Sequence, residues 1–319
     1  MHNELLITAN IGELARFIVC FGWTHEYHPG RMGAPELASV LITTFNDGEI
    51  LPQTLAAYAA QSTRDFEIIV ADDGSTDGCG EALRNWAPSF RRGIVHVFQE
   101  NHGFRRARIL NRAERASRCE RLIFTDMDCL PHRDFVRNHL RHLKPGTAVT
   151  GRRTHIAREA IPSPEIILKN GLGLSPSRLV RLWLRGKARV IEHGFVAPFF
   201  YEASSNGILG SNFSICREDF EAVNGFSEEF EGWGGEDTDL GQRIERNGVR
   251  LRNLRNKVVQ FHQPHAQRKE DPSRIFAVLE RNAREGITRA PLGLSEAREG
   301  DFEVKRYPGN DIKKARERS

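Results

Sequence analysis

Hydrophobic and polar positions along this chain follow two rhythms. Residues 39–45 form an apolar, β-rich run closed by Asn46-Asp47-Gly48, and residues 50–61 repeat their apolar positions at helical spacing. Residues 66–71 read as a second buried strand ending in Asp72-Asp73-Gly74-Ser75. A third strand is predicted over 94–98, a basic helix over 105–117 and a fourth strand over 122–125. Strands alternating with helices at these spacings predict an α/β fold with a mostly parallel sheet and right-handed crossovers. Such sheets bind ligands beyond the carboxyl ends of their strands. Asn46, Asp73 and Asp126 all fall at such ends, so one cleft is expected to gather them.

The rhythm is weaker elsewhere. Residues 1–36 carry no clear period and read as an N-terminal extension with a helix over 14–21. Between 147 and 203 the pattern is broken by Pro162-Ser163-Pro164 and Gly171-Leu172-Gly173, with a basic amphipathic helix expected over 177–191. Order returns with a strand over 208–215, helices over 217–223 and 236–247, and a strand over 258–262. Past 268 the chain is polar, with one helix over 273–284 and a basic end at 313–318. The expected organisation is an extension (1–36), a first half (37–150), a second half (151–268) and a polar helical tail (269–319).

Composition narrows the class. With 39% hydrophobic and 28% charged residues in 319, the chain is globular rather than disordered. No apolar run approaches the roughly 18–20 residues that span a bilayer, and no secretory leader is expected from the first residues. Five scattered cysteines without a CxxC pair argue against a disulfide framework or structural zinc and predict a reducing, cytoplasmic setting. A net charge of +4 is too mild to imply nucleic acid, although the dominance of arginine over lysine suits phosphate.

Four motifs carry candidate chemistry. Asp126-Met127-Asp128 follows a strand directly, and two carboxylates so placed offer oxygens to Mg²⁺ or Mn²⁺. In Gly232-Trp233-Gly234-Gly235-Glu236-Asp237-Thr238-Asp239, glycines permit close approach and carboxylates open a helix, where its dipole favours them. Trp233 offers a stacking face for a sugar, and a carboxylate beside it can serve as a base toward a hydroxyl. Phe261-His262-Gln263-Pro264-His265 supplies an imidazole that a DxD metal site lacks, with His262 preferred over His265. Around Asn101-His102-Gly103-Phe104-Arg105-Arg106-Ala107-Arg108, guanidinium groups could meet diphosphate. On a helix, 105, 108, 112 and 115 share one face while 106 points elsewhere, so at most one or two arginines would reach the cleft and the rest would be solvated. The chain has no GxxxxGK[ST] loop, no GxGxxG after the first strand and no GxSxG elbow.

These motifs together resemble the inverting glycosyltransferases of the GT-A fold. "SVLITTFND" and "FEIIVADDGSTDG" are similar to family 2, whereas "FRRARILNRAERASRCERLIFTDMDCLP" and "NGFSEEFEGWGGEDTDLGQRI" are similar to the β-1,4-galactosyltransferase and chondroitin-polymerase branch. The resemblance covers about residues 39–265 and implies a nucleotide-sugar-binding first half and an acceptor-binding, base-bearing second half. It implies that Asp73 meets the nucleotide base, with Thr43 and Phe45 lining that pocket, that Arg106 reaches the diphosphate, and that Gly210 also borders the donor. By the same likeness Asp128 and His262 bind Mn²⁺ (or Mg²⁺), and Asp126 supports the ribose or metal side. Asp237 becomes the catalytic base, and Glu236, Trp233 and Gly234 shape the acceptor site. Two positions depart from the pattern: Thr43 stands where family 2 usually has proline, and Leu110 where many members have arginine, which leaves position 106 or 108 to supply the helix arginine.

The expected function is metal-dependent, inverting transfer of a hexose or N-acetylhexosamine from a nucleotide-diphosphate sugar, UDP-linked by likeness, to a glycan or glycolipid hydroxyl. The alternatives are a sugar-nucleotidyltransferase, which would show a Gly-rich basic loop after the first strand, and a non-catalytic nucleotide-sugar or glycan-binding module. Nucleic acid is not an expected partner, since arginine is spread along the chain rather than interleaved with aromatic platforms. Peripheral contact with the inner membrane surface is considered for the basic segments 177–191 and 313–318.

Overall fold

The computed structural model describes residues 37–173, 176–189, 207–254, 257–263, 273–296 and 302–310. The expected extension 1–36 with its helix over 14–21, His265, and the basic end 313–318 lie outside the described residues.

The first half follows the predicted alternation. It runs β1 (Ala38–Thr44), α1 (Leu51–Ala59), β2 (Phe66–Asp72), α2 (Cys79–Trp86), β3 (Ile94–Phe98), α3 (Arg106–Ala116) and β4 (Arg121–Asp126). After β4 come β5 (Cys129–Pro131), α4 (Phe135–His142), β6 (Thr147–Thr150), β7 (Arg152–His155), α5 (Pro164–Asn170) and α6 (Pro176–Leu184). The described remainder holds β8 (Asn212–Cys216), α7 (Arg217–Ala222), α8 (Glu236–Arg246), β9 (Arg250–Asn253), β10 (Val259–His262), α9 (Ser273–Arg284) and β11 (Glu303–Tyr307).

Among the described residues, eight strands form one sheet in the order β11-β3-β2-β1-β4-β8-β6-β9, and β5-β10-β7 form a second, smaller one. β3, β2, β1 and β4 are mutually parallel, β8 is antiparallel to both β4 and β6, and β11 is antiparallel to β3. The chain winds outward from β1 to β3, then returns to place β4 on the other side of β1. That reversal opens a crevice at the carboxyl ends of β1 and β4, where Thr43 pairs with Asp126.

Alternation along the strands builds a core on each face of the sheet. Leu41, Ile69 and Phe124 pack with Ile109 and Leu110 of α3 and Leu240 and Ile244 of α8. Val40, Ile42, Ile68 and Val70 pack instead with Leu51, Leu55 and Tyr58 of α1 and Phe135 of α4. Phe124 stacks on Phe213 at 4.6 Å between ring centroids and meets Phe220 and Phe226. Burying each such ring contributes about 1.5–3 kcal/mol.

Several expectations are corrected. The strand predicted over 208–215 is confined to Asn212–Cys216, and residues 208–211 form a turn whose backbone enters the crevice. The helix predicted over 177–191 runs Pro176–Leu184, and Gly186, at φ 66°, follows its end. The polar tail is not wholly helical, because Glu303–Tyr307 extends the main sheet as a strand beside β3. Of the arginines expected to form a solvated face of α3, Arg115 is exposed but Arg112 is buried against Glu228.

Candidate active site at the β1–β4 crevice

Backbone continuity fixes the loop after β4. Met127 N–H donates to Thr43 O at 2.9 Å, prolonging the β1–β4 ladder past Asp126, and the Thr54 hydroxyl of α1 donates to Met127 O at 2.6 Å. Met127 is thereby buried, while Asp126 and Asp128 on either side of it remain half-exposed. The loop before α8 is shaped by glycine: Gly232, Gly234 and Gly235 have φ of 93°, 101° and 88°, a left-handed region costly for other residues. Gly235 caps α8, so Glu236, Asp237 and Asp239 fall in its first turn.

Arg106, the first residue of α3, ties these two loops together. Its Nη2 donates to Asp126 Oδ1 at 2.7 Å and to Gly210 O at 2.9 Å, and its Nη1 donates to Glu236 Oε1 at 3.1 Å. Asp126 Oδ1 also accepts from the Thr43 hydroxyl at 2.5 Å. Gly210 N–H donates to Asp237 Oδ2 at 2.9 Å, while Thr238 N–H donates to Asp237 Oδ1 at 2.7 Å. A side chain at Gly210 would press on Arg106 Nη1 and Asp237 at 3.1–3.2 Å, which explains glycine there. The structure thus brings Thr43, Arg106, Asp126, Gly210, Glu236 and Asp237 into one network.

The electrostatics are those of charges crowded out of water. Burial pushes the Glu236 carboxyl well above its usual range and the Asp237 charge pushes it further, against the pull of Arg106. Among the described residues its buried Oε2 has no hydrogen-bond partner. Arg106 is only 8% exposed, and the carboxylates of Asp126, Glu236 and Asp237 outweigh burial to hold it charged. Its side chain is occupied within the protein rather than waiting in solvent.

Asp128 and His262 form a second group. His262 Nε2 lies 2.9 Å from Asp128 Oδ2, and Gln263 N–H donates to Asp128 O at 3.1 Å. Asp128, Cys129 and His262 place possible ligand atoms within 4.8 Å of one another. Burial holds the Cys129 thiol well above its ordinary value, with Asp128 adding to the effect, so it stays protonated and donates to Asp128 Oδ1 at 3.2 Å. The remaining donors, a carboxylate and an imidazole, fit a Mn²⁺-type cation.

The other expected residues are distributed around these two groups. Asp73, at the end of β2, is 6% exposed and already accepts from Gln99 Nε2 at 2.5 Å and Arg105 N–H at 2.7 Å. Phe45 is half-buried, and its N–H donates to Asp47 Oδ2 at 3.1 Å. Trp233 stands 53% exposed before α8, next to Gly234, which has open space where a side chain would be. Three residues at the site were not singled out from sequence. Asp47 feels the charges of Asp128 and Asp126; Cys129 adjoins the DxD pair; and His155 Nδ1 lies 3.0 Å from His262 Nδ1. Only the adjacency of Cys129 to Asp128 was available as a signal.

Known proteins share much of this sequence and its fold. Residues 39–188 match glycosyl transferase family 2, and residues 192–266 match the N-terminal domain of galactosyltransferase. Validoxylamine A glucosyltransferase of Streptomyces hygroscopicus subsp. jinggangensis (strain 5008) is 30% identical over 248 residues, 69% of this chain and 54% of that protein. Chondroitin synthase of Escherichia coli is 26% identical over 251 residues, 73% of this chain and 35% of its own length. The chain therefore spans about half or less of the length of these relatives. A crystal structure of GalNAc-T7 with UDP, GalNAc and Mn²⁺ superposes with a TM-score of 0.54 at 15% identity, covering 78% of this chain and 48% of that one. Fold and family matches converge: the fold is GT-A, residues 39–188 carry the match to glycosyl transferase family 2, and residues 192–266 carry the galactosyltransferase-type match.

Proposed function

We propose that this chain is a divalent-metal-dependent, inverting glycosyltransferase. It moves a hexose or N-acetylhexosamine from a nucleotide-diphosphate sugar, UDP-linked, to a hydroxyl of a glycan or glycolipid acceptor. The observation that carries this reading is the Arg106–Gly210 bridge, which holds Asp126 of the DxD loop and Glu236 and Asp237 of α8 in one network. Relatives named as glucosyltransferase and chondroitin synthase, and a fold neighbour holding UDP, GalNAc and Mn²⁺, support the substrate class.

On this reading Thr43, Phe45 and Asp73 border the nucleotide, and Arg106 faces the diphosphate from the first turn of α3. Asp128 and His262, with Asp126 beside them, hold Mn²⁺ or Mg²⁺, which when bound supplies Lewis-acid neutralisation of charge on the leaving diphosphate. Asp237 accepts the proton of the acceptor hydroxyl as that oxygen bonds to the anomeric carbon. The bond from that carbon to the diphosphate oxygen breaks, and its electron pair leaves with the nucleotide. Attack from the face opposite the leaving group inverts the anomeric centre, the logic by which a far-face base inverts in glycoside hydrolysis. Gly210 and Thr238 backbone N–H groups hold both Asp237 oxygens in place. Glu236, Trp233 and Gly234 border the acceptor.

Asp237→Asn removes the base at nearly constant volume, giving up one of the two backbone hydrogen bonds to the side chain. Transfer is expected to fall by about 10²–10⁴-fold, with donor-induced thermal stabilisation retained. A variant that turns over normally would overturn the assignment.

Two finer readings accompany this one. Among the described residues no helix is long and apolar enough to cross a membrane, and Cys79, Cys119, Cys129 and Cys216 are free thiols, in keeping with a cytoplasmic enzyme. Arg178, Arg181, Arg185 and Lys187 line a cavity of about 420 Å³ beside α6, a cationic surface for contact with the inner membrane face. Co-sedimentation with phosphatidylglycerol vesicles but not phosphatidylcholine vesicles is expected; equal binding to both would reject the contact.

A further inference from the structure

The small sheet sets three chemistry-bearing side chains in one row. β10 runs between β5 and β7, and His262 stands opposite Cys129 on one side and His155 on the other. Side chains at one register position share a face of the sheet. His262 Nε2 accordingly points to Asp128 Oδ2 at 2.9 Å, while its Nδ1 lies 3.0 Å from His155 Nδ1. The two imidazoles meet edge to face, with centroids 4.8 Å apart and planes at 86°. Ile156 N–H donates to His262 O at 3.0 Å on one flank, and Gln263 N–H to Asp128 O at 3.1 Å on the other. His262 is 4% exposed, so its ring has little room to turn.

Two imidazole nitrogens at this distance share a single proton: one donates and the other accepts. A nitrogen that ligates a metal offers its lone pair, so the His262 ring must then carry its proton on Nδ1. Nδ1–H donates to His155 Nδ1, and His155 keeps its own proton on Nε2. In the opposite arrangement His155 Nδ1–H donates to His262 Nδ1, and His262 Nε2–H faces the Asp128 carboxylate. Both arrangements contain two neutral rings and the same number of protons. The observed contact serves either one without moving a heavy atom.

We propose that His155 is a positioning residue of the metal site, accepting the His262 Nδ1–H so that the Nε2 lone pair faces the Asp128 side. This rests on reading Asp128 and His262 as metal ligands. It assigns a role to a residue in the segment where the sequence pattern was weakest. Metal-binding histidines depend on such a partner for tautomer and ring orientation, and losing it weakens metal binding roughly 10–100-fold.

The test is Mn²⁺ binding to the full chain, read from the electron paramagnetic resonance signal of free Mn²⁺. His155→Phe keeps bulk and removes the acceptor; His155→Asn restores an acceptor oxygen near the position of Nδ1. The expected result is a loss of roughly 10–100-fold in affinity for His155→Phe, with most of it recovered in His155→Asn. Unchanged affinity in His155→Phe, or an Asn variant as weak as the Phe variant, overturns the proposal. His262→Ala separates it from the underlying reading: if His262→Ala binds Mn²⁺ as the unaltered chain does, or neither binds, the metal assignment fails and the role of His155 fails with it. Should His155→Phe not fold, a ¹H–¹⁵N spectrum of the unaltered chain with Mg²⁺ decides. His262 protonated at Nδ1 supports the proposal, and protonation at Nε2 overturns it.

Discussion

Asp47 shows how the site treats a single charge. Burial pushes its carboxyl up to about 6, and the neighbouring charges of Asp128 and Asp126 push the same way, against hydrogen bonds from Phe45 N–H and the Thr44 hydroxyl. With the folded value above the unfolded one, the native chain holds more protons between pH 3.8 and about 6, so stability falls as pH rises through that window. Asp47→Asn is expected to flatten this fall, gaining about 1–2 kcal/mol over the unaltered chain at pH 7.5 relative to pH 4. Urea unfolding at the two pH values measures it; parallel shifts in variant and unaltered chain would contradict the argument. Arg106 is the opposite case, a buried cation compensated by Asp126 and Glu236. Its removal would leave Glu236 without its counter-charge, a loss of about 3–5 kcal/mol for a buried pair broken from one side.

At the scale of the element, the start of α8 depends on two glycines for different reasons. Gly234 and Gly235 both have φ near 90–100°, but a side chain at Gly234 meets nothing within 4 Å. At Gly235 it would lie 2.5 Å from Ile275 of α9 and 3.0 Å from the Phe230 ring. Gly234→Ala is therefore expected to cost only the left-handed backbone penalty, about 1–2 kcal/mol. Gly235→Ala adds overpacking of about 1–3 kcal/mol and displaces Asp237. Thermal melts of the two variants compare these directly, and equal destabilisation would refute the packing argument. The same physics decides what could be read from sequence. β1, β2, β4, α1, α3 and α8 bury continuous or periodic apolar positions, so the pattern exposes them. β11 reads EVKRY and is almost wholly exposed, so nothing in its period marks an edge strand. α2 buries only Cys79 and Leu83, too few positions to announce a helix.

Viewed as a whole, the molecule joins its two sequence halves through shared strands. β8 and β9, from the second half, pair with β4 and β6 of the first, so the large sheet crosses the expected boundary at 150. Arg106 and Gly210 repeat that junction at the site. Asp126, Asp128, Glu236, Asp237 and His262 were legible because each sits in a compact local motif at a strand or helix end. Asp47 and His155 were not, because their nearness to the site arises from chain reversal and from strand register, neither of which leaves a mark in local spacing.

Metal-dependent use of a nucleotide-sugar by this cleft is open to a direct measurement, thermal unfolding against a panel of nucleotide-sugars with Mn²⁺ and with a chelator. A ligand present at 100 times its dissociation constant stabilises the native chain by about 2.7 kcal/mol, a readily measured rise in midpoint. A UDP-sugar is expected to raise the midpoint with Mn²⁺, and the chelator to abolish most of the rise. Stabilisation by no nucleotide-sugar, or an equal rise with and without metal, would contradict metal-dependent use.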